Sequence, residues 1–134
     1  MHTLEEYIKM AENAVDTIAC PAGRNPKGLY EPIVYGLEQG GKRLRPVILL
    51  AACDAVGGDS AKALPQAAAI EMYHNFTLLH DDVMDKADLR RGKPTVCNKW
   101  DDNTAILSVD TMRTLATQLV ADGVVPQKAM RRMK

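Results

Sequence analysis

The sequence predicts an all-α fold, a bundle of helices that forms one domain of 134 residues. Apolar side chains recur three and four positions apart in several successive segments, which is the spacing of an amphipathic helix. Prolines and glycines stand at the boundaries of those segments, and no segment alternates apolar and polar residues as a half-buried strand does. Hydrophobic residues make up 46% of the chain, which is enough to fill a single core. Residues 1–134 are therefore assigned to a single helical domain.

Proline and glycine delimit three helices in the first part of the chain. A first helix stops before Pro21 and carries an apolar stripe that comprises Leu4, Ile8, Ala11, Val15 and Ile18. A second, short helix is expected over residues 29–38, because the glycine pair at 40–41 is typical of a helix end. Pro46 suits the first turn of a third, apolar helix that runs towards Ala55.

The second part of the chain predicts one long helix, a loop and a further helix. Pro65 opens the long helix, which ends in an acidic cluster. The polar residues 86–95 are expected to form a loop, and residues 96–100 a helical turn. A further helix is expected over residues 104–121, and Pro126 starts a last segment.

Composition and charge exclude several classes of protein. The chain has 17 basic and 17 acidic side chains and a formal net charge of zero, which gives no indication of a nucleic-acid or membrane-surface binder. Its longest apolar run, residues 46–53, is far too short to span a bilayer. The N-terminal sequence MHTLEEYIKM does not resemble a signal peptide, and the cysteines at 20, 53 and 97 lack metal-ligand spacing. A reduced, cytoplasmic setting fits these observations best.

The sequence LLHDDVMD, residues 78–85, places three aspartates at the end of the long helix. Asp81 and Asp85 are four residues apart and lie on one face, about 6 Å from each other along the axis, with Asp82 beside them. Carboxylates at this spacing can hold a hard divalent cation such as Mg²⁺ and share it with phosphates. Acids at a helix C-terminus also oppose the helix dipole, at about 0.3–1 kcal/mol each, which bound cations would offset. The alternative is a solvated helix end.

Two histidines on the same helix differ in their alignment with these acids. His74 lies seven residues before Asp81 and points to nearly the same side, which makes it a candidate for ligand contact. The alternative for His74 is a packing or surface role. His80 adjoins the acids but points roughly 100° away from Asp81, so it is interpreted as structural.

Two basic loops complete the set of charged motifs. GGKRLRP, residues 40–46, lies between a glycine helix stop and a proline helix start and contributes Lys42, Arg43 and Arg45. These cations and the backbone amides of the new helix predict an anion site. LRRGKP, residues 89–94, contributes Arg90, Arg91 and Lys93, and Gly92 permits a tight turn. Each loop alone could be an ordinary basic loop, but both loops with the acidic helix end indicate two phosphorylated substrates and bridging metals.

The three motifs resemble those of the trans-isoprenyl diphosphate synthases, the polyprenyl synthetase family that includes farnesyl and geranylgeranyl diphosphate synthases. GGKRLRP resembles the family's first basic motif, and LLHDDVMD with DLRRGKPT resembles its first aspartate-rich region and the arginine pair behind it. WDDNTAILSVD is similar to the segment that follows, and the likeness is strongest over residues 28–107. The resemblance implies the N-terminal half of the isoprenoid synthase fold. It also implies a prenyltransferase of isoprenoid biosynthesis, which condenses isopentenyl diphosphate with an allylic diphosphate to give farnesyl or geranylgeranyl diphosphate.

The resemblance also implies a role for each motif residue. Asp81 and Asp85 would bind Mg²⁺ with the assistance of Asp82, and Arg90 would hold the allylic diphosphate. The residues that would bind isopentenyl diphosphate are Lys42, Arg45, His74 and Arg91. In this family a bulky side chain one helical turn before the acids limits product length, which here concerns Phe76 and Thr77, with Tyr73 as a neighbour of Phe76. The metals would draw off the allylic diphosphate, and the double bond of isopentenyl diphosphate would attack the resulting carbocation before a proton is lost.

The sequence departs from the family pattern at two points. Val109 stands where the family usually has glycine, and the second aspartate-rich helix, which completes the family's metal site, has no counterpart in these residues. The chain is therefore expected to be the N-terminal half of a longer synthase, to form a homodimer or higher oligomer, and to lack turnover by itself. The alternative is a non-catalytic, truncated subunit that binds a full-length synthase.

Overall fold

Helices make up most of residues 2–20, 23–38 and 41–124, the part of the chain that a computed structural model describes. The α-helices in these ranges are α1 Leu4–Ala14, α2 Lys27–Glu38, α3 Leu44–Ala55, α4 Leu64–Asp85, α5 Val96–Lys99 and α6 Asp102–Val124. A π-helical segment, Val15–Ala19, continues α1, and a 3₁₀ turn, Ser60–Ala63, leads into α4. The predicted all-α fold is confirmed, whereas Pro21, Gly40 and Pro126 lie outside the described residues.

The first helix begins with a capping box and buries the predicted apolar stripe, except at its first residue, Leu4. The Thr3 hydroxyl accepts a hydrogen bond from the Glu6 backbone N–H (3.2 Å), and the Glu6 carboxylate accepts one from the Thr3 backbone N–H (3.3 Å). Leu4 was expected in the apolar stripe, yet it is 66% exposed. The Tyr7 hydroxyl donates to the Asp54 carboxylate on α3 at 2.7 Å, which turns the buried face of α1 towards Tyr7 and Ala11 and leaves Leu4 in solvent.

The core lies mainly between the two longest helices, α4 and α6. Its buried side chains on α6 are Ala105, Val109, Met112 and Ala116, four, three and four residues apart, which is one continuous helical face. They meet Ala68, Met72 and Leu79 of α4. The unexpected Val109 is thus a packing residue. A second cluster joins α1, α3 and α4 through Tyr7, Ala11, Val47, Leu50 and Ala67.

A short β-hairpin interrupts the loop that the sequence predicts after α4. Strand β1, Leu89–Arg90, pairs antiparallel with β2, Lys93–Pro94. The two residues between the strands, Arg91 and Gly92, both have positive φ values of 53° and 76°, as a tight two-residue hairpin turn requires. The segment predicted as a loop therefore contains a pair of two-residue strands, which are too short to show alternation in the sequence. No helix in the described ranges combines the length and apolar character that a membrane span needs.

Candidate functional site

The acidic motif lies at the C-terminal end of α4, as the sequence predicts. The helix stops at Lys86, which adopts the left-handed conformation (φ 52°) and directs its N–H towards the carbonyls of Asp82 and Val83. Asp81 and Asp85 are exposed on the same face of the helix, whereas Asp82 is only 5% exposed. The structure therefore separates the three acids into an exposed pair and one buried carboxylate.

The buried carboxylate of Asp82 forms an ion pair with Arg90 of β1. The Arg90 Nε donates to both Asp82 oxygens at 3.2 and 2.9 Å, and its Nη2 donates to Oδ1 at 2.8 Å. This side-by-side geometry is the strong form of an arginine–carboxylate contact, and the bond to Asp82 raises the pKa of the Arg90 guanidinium. Both Asp82 oxygens are thus occupied by Arg90, which they hold beside Asp81 and Asp85. Asp82 therefore does not offer its oxygens to a cation together with the exposed pair.

Asp81 and Asp85 form an exposed pair of carboxylates. Two carboxylates suit Mg²⁺, whereas a metal that is held by protein ligands alone needs more side chains. Within residues 2–20, 23–38 and 41–124, no group of three or more His, Cys, Asp or Glu side chains is arranged to hold a metal ion. Mg²⁺ keeps several waters and is commonly bound by one or two carboxylates together with substrate phosphates. Asp81 and Asp85 therefore form a candidate site for Mg²⁺ that arrives with a phosphorylated ligand.

The hairpin turn sends its two adjacent arginines to different partners. Arg90 contacts Asp82 at the acidic helix end, while the Arg91 guanidinium lies against Gly41, in the loop before α3. The hairpin is fastened to the bundle because the Tyr35 hydroxyl of α2 donates to the Pro94 carbonyl at 2.7 Å. Tyr35 was not identified from the sequence as a residue of the site, since a lone tyrosine on a helix carries no motif.

A cavity of about 340 Å³ brings the first basic loop, α4 and Arg91 together. We refer to it as the cationic cavity, and its lining residues are Gly41, Lys42, Arg43, Leu44, Arg45, Glu71, His74 and Arg91. The residues predicted to bind isopentenyl diphosphate thus line one cavity, although the sequence places them in three separate segments. Arg43 was also expected among the exposed cations, but its guanidinium is turned inwards and is only 8% exposed.

His74 is held in its neutral form inside the cationic cavity. Its Nε2 lies 3.2 Å from the Arg45 Nη1, and because arginine can only donate, Nε2 is the acceptor. Burial is the largest cause that lowers the pKa of His74, followed by the charge of Arg45, while Glu71 acts in the opposite direction. Arg90 and Arg91 lower it further. The cavity therefore concentrates positive charge that an anion would offset.

Gly41 is the position where the two basic motifs touch. Its φ of 152° lies in the region that favours glycine, and an added Cβ would come within 3.1 Å of both Arg91 Nη atoms. The Gly41→Ala variant should therefore displace the Arg91 guanidinium from the cavity and weaken the binding of inorganic pyrophosphate about tenfold, as the loss of one charged contact does. Isothermal titration calorimetry in the presence of Mg²⁺ measures the change.

Gly28→Ala provides the matched control for Gly41→Ala. Gly28 lies in α2, and an added Cβ would meet nothing within 4 Å. This control should keep the wild-type affinity and, since alanine favours a helix over glycine by roughly 0.5–1 kcal/mol, should unfold at an equal or higher temperature. Equal pyrophosphate affinity in Gly41→Ala and Gly28→Ala would contradict the contact between the two motifs.

An apolar groove of about 640 Å³ runs between α3, α4 and α6. Its lining residues are Leu49, Gln66, Ala69, Ile70, Tyr73, Ala116, Thr117, Val120 and Ala121. Of the residues predicted to affect product length, Tyr73 lines the groove and is 50% exposed. Phe76 is half-buried against the core, 5.2 Å from the Tyr73 ring, and the Thr77 hydroxyl donates to the His74 carbonyl at 2.6 Å. In the sequence, the groove could have been predicted from Gln66, Ile70 and Tyr73, which are four and three residues apart and so lie on one helix face.

The described residues thus form a helical bundle that combines an acidic helix end, a cationic cavity and an apolar groove. The sequence model of the polyprenyl synthetase family matches residues 26–134, and the chain belongs to this family. The resemblance drawn from GGKRLRP and LLHDDVMD is thereby confirmed.

Several relatives are known by sequence and by structure. The geranylgeranyl diphosphate synthase of Methanosarcina mazei is 43% identical over 122 residues, which are 89% of this chain and 37% of that protein. The farnesyl diphosphate synthase of Geobacillus stearothermophilus is 41% identical over 125 residues, or 90% of this chain and 42% of that protein. A geranylgeranyl pyrophosphate synthetase structure from Geoglobus acetivorans shares 37% identity with a TM-score of 0.85, covering 98% of this chain and 42% of that one. The chain thus spans about two-fifths of the length of these relatives.

Proposed function

We propose that this chain supplies the first metal-binding and diphosphate-binding half of a prenyltransferase, which condenses isopentenyl diphosphate with an allylic diphosphate. The observation that carries the proposal is the hairpin Leu89–Pro94, which joins the acidic helix end to the cationic cavity through Arg90 and Arg91. Two diphosphates could then bind side by side, one at each arginine. The family membership and the two named relatives support a prenyl diphosphate as the product.

The acidic helix end is proposed to bind the allylic diphosphate. Asp81 and Asp85 would hold Mg²⁺, which supplies charge neutralisation for a departing diphosphate when it is bound. Arg90 would contact the same diphosphate, because its ion pair with Asp82 fixes the guanidinium next to the exposed carboxylates. In this arrangement Asp82 acts on the substrate through Arg90.

The cationic cavity is proposed to bind the diphosphate of isopentenyl diphosphate. Lys42, Arg45 and Arg91 line a space of about 340 Å³ and would surround the anion, with His74 at its wall. Such binding would hold the double bond at a set distance from the allylic carbon, and holding two reactants in position is a large part of catalysis. Apolar side chains of the neighbouring helices would keep water away from the carbocation.

The apolar groove beside α4 is proposed to hold the growing hydrocarbon chain. Its walls are almost entirely apolar, and Tyr73 lies eight residues before Asp81 on the same helix. A chain extended from the acidic helix end along α4 would therefore reach Tyr73. Farnesyl or geranylgeranyl diphosphate is the proposed product, and a cytoplasmic homodimer or higher oligomer is the proposed form of the protein.

The function can be tested in a chimera that joins this sequence to the remaining part of the Methanosarcina mazei relative. Purified chimera would be incubated with Mg²⁺, labelled isopentenyl diphosphate and an allylic diphosphate, and the products separated by chain length. We expect a farnesyl or geranylgeranyl product that depends on Mg²⁺. A folded chimera that binds both substrates without forming product would instead support the non-catalytic subunit.

Binding at the cationic cavity should depend on pH through His74. The free protein has a lowered His74 pKa, so the imidazole is neutral near pH 7, whereas a bound anion favours the charged form and raises that pKa. The complex therefore takes up a proton, and affinity for inorganic pyrophosphate should rise as pH falls through the range between the two pKa values. Calorimetry from pH 8 to pH 5.5 checks this direction.

His74→Gln separates this effect from the titration of pyrophosphate itself. Glutamine keeps a polar side chain but has no proton to gain in this range, so the variant should show the ligand's own pH dependence alone. The ratio of wild-type to variant affinity is expected to increase towards low pH. A constant ratio would rule out proton uptake by His74.

A further inference from the structure

Arg43 differs from the other cations of the first basic loop in both its backbone and its side chain. Its φ of 52° places it in the left-handed region, which is unfavourable for a residue with a long side chain. Its side chain is buried and only 8% exposed, whereas those of Lys42 and Arg45 are exposed. Strained backbone and a buried charge at one residue persist only where surrounding contacts hold them in place.

Those contacts tie three elements of the fold together. The Arg43 Nη2 donates to the Leu37 carbonyl in the last turn of α2 at 2.7 Å, and Nη1 donates to the Glu71 carboxylate of α4 at 3.3 Å. Glu71 is 5% exposed, and its Oε1 also accepts a hydrogen bond from Asn75 at 3.2 Å. The guanidinium therefore joins the end of α2 and the middle of α4 to the residue that directly precedes α3.

We propose that the buried Arg43–Glu71 ion pair is a positioning device for the cationic cavity. By fixing the backbone of residue 43, the pair sets the directions of Lys42 and Arg45 and brings Arg45 to His74 at 3.2 Å. Glu71 and His74 lie three residues apart on α4, so the ion pair and the cavity share one helical face. The inference rests on the proposed function, since the cavity is the predicted site for isopentenyl diphosphate.

Stability alone does not account for this ion pair. Burying two charges costs desolvation, and apolar or neutral replacements of a whole buried pair are often neutral or stabilising. Arg43 also keeps an unfavourable backbone conformation, which adds to the cost of the arrangement. A role in ordering Lys42 and Arg45 would account for both the buried charges and the unfavourable backbone conformation. The role can therefore be separated from folding by removing both charges at once.

The test compares the wild-type chain with the double variant Arg43→Met/Glu71→Gln. Methionine removes the guanidinium, and glutamine keeps an acceptor for Asn75, so no unpaired charge is left in the interior. We expect an unfolding temperature close to that of the wild type and an affinity for inorganic pyrophosphate with Mg²⁺ at least about tenfold weaker. Tyr7→Phe serves as the control, because it removes a part-buried hydrogen bond to Asp54, and neither residue lines the cavity.

The titration of His74, followed by NMR, is the deciding measurement. Arg43→Lys keeps the charge of Glu71, which acts on His74 in the opposite direction to Arg45, so loss of the ordered Arg45 should raise the pKa of His74 in Arg43→Lys and leave it unchanged in Tyr7→Phe. An unchanged His74 pKa in folded Arg43→Lys overturns the inference, whatever the affinity does.

A second variant keeps the inference testable if the double variant does not fold. Arg43→Lys retains the charge, but one ammonium cannot reproduce the two-sided contact with Leu37 and Glu71. Arg43→Lys should fold, bind pyrophosphate more weakly than the wild type and show a raised His74 pKa. A wild-type pyrophosphate affinity together with a wild-type His74 pKa would overturn the inference. Absence of pyrophosphate binding by the wild-type chain would contradict the proposed function, while the His74 titration would still decide the role of Arg43.

Discussion

Prenyl transfer by the chimera is expected to fall by about 10³-fold, roughly 4 kcal/mol in the barrier, when Asp81 or Asp85 is replaced by alanine. The two carboxylates are exposed on one face at the end of α4, and together they are the proposed Mg²⁺ ligands. Either substitution removes one of the two proposed carboxylate ligands, so that the cation is held less firmly against the departing diphosphate. The helix itself should persist, because exposed acids contribute little to stability and acids at a C-terminus oppose the dipole.

Steady-state rates with saturating Mg²⁺ and both substrates measure this loss, and circular dichroism confirms that each variant is folded. Glu12→Ala is the matched control, since it removes one exposed carboxylate from α1, far along the chain from the acidic motif. The control should retain wild-type turnover. Turnover within a few-fold of wild type in both aspartate variants would show that the metal assignment is wrong.

The sequence alone was sufficient for most of the fold because helical periodicity and proline positions are local signals. The long helix ends at Asp85 as expected, and the ends of α2 and α3 agree with the predicted bounds. The acidic and basic motifs were likewise visible, because charged residues next to an apolar helix stand out in sequence. What the motifs do not contain is the direction in which each side chain points.

Direction depends on contacts between segments that are distant in sequence. Asp82 is buried because Arg90 folds back on it, and that fold requires the left-handed turn at Arg91 and Gly92. Arg43 turns inwards because Glu71, 28 residues later, provides a buried partner. A charge cluster read from sequence therefore overestimated the number of groups available to a ligand.

The length of the prenyl product should change when Tyr73 is replaced by alanine. Tyr73 lies about 12 Å from Asp81 along the helix axis, and half of its side chain is exposed in the apolar groove. A hydrocarbon that grows along α4 from the acidic end would meet this ring, and its removal opens the way to Ile70. We therefore expect Tyr73→Ala to shift the main product of the chimera by at least one isoprene unit.

Phe76→Ala should act in the same direction with a smaller effect. Phe76 is half-buried against the core, and its ring centroid lies 5.2 Å from that of Tyr73, so it supports the position of Tyr73. Removal of Phe76 lets the Tyr73 ring move out of the groove without deleting it. Tyr30→Ala, which removes an equal side chain from α2 outside the groove lining, should leave the product unchanged and serves as the control.

Chromatography of the dephosphorylated products distinguishes these outcomes. A longer product from Tyr73→Ala and a mixture from Phe76→Ala would identify the groove as the space that limits elongation. Unchanged products from both variants, with turnover retained, would place the stop on another helix of the chimera. The most informative result is which variant changes product length more. Phe76 is nearer to Asp81 in sequence, whereas Tyr73 is the residue that lines the groove. A larger shift from Tyr73→Ala would thus show that groove exposure, more than distance from the aspartates, determines which residue ends chain growth.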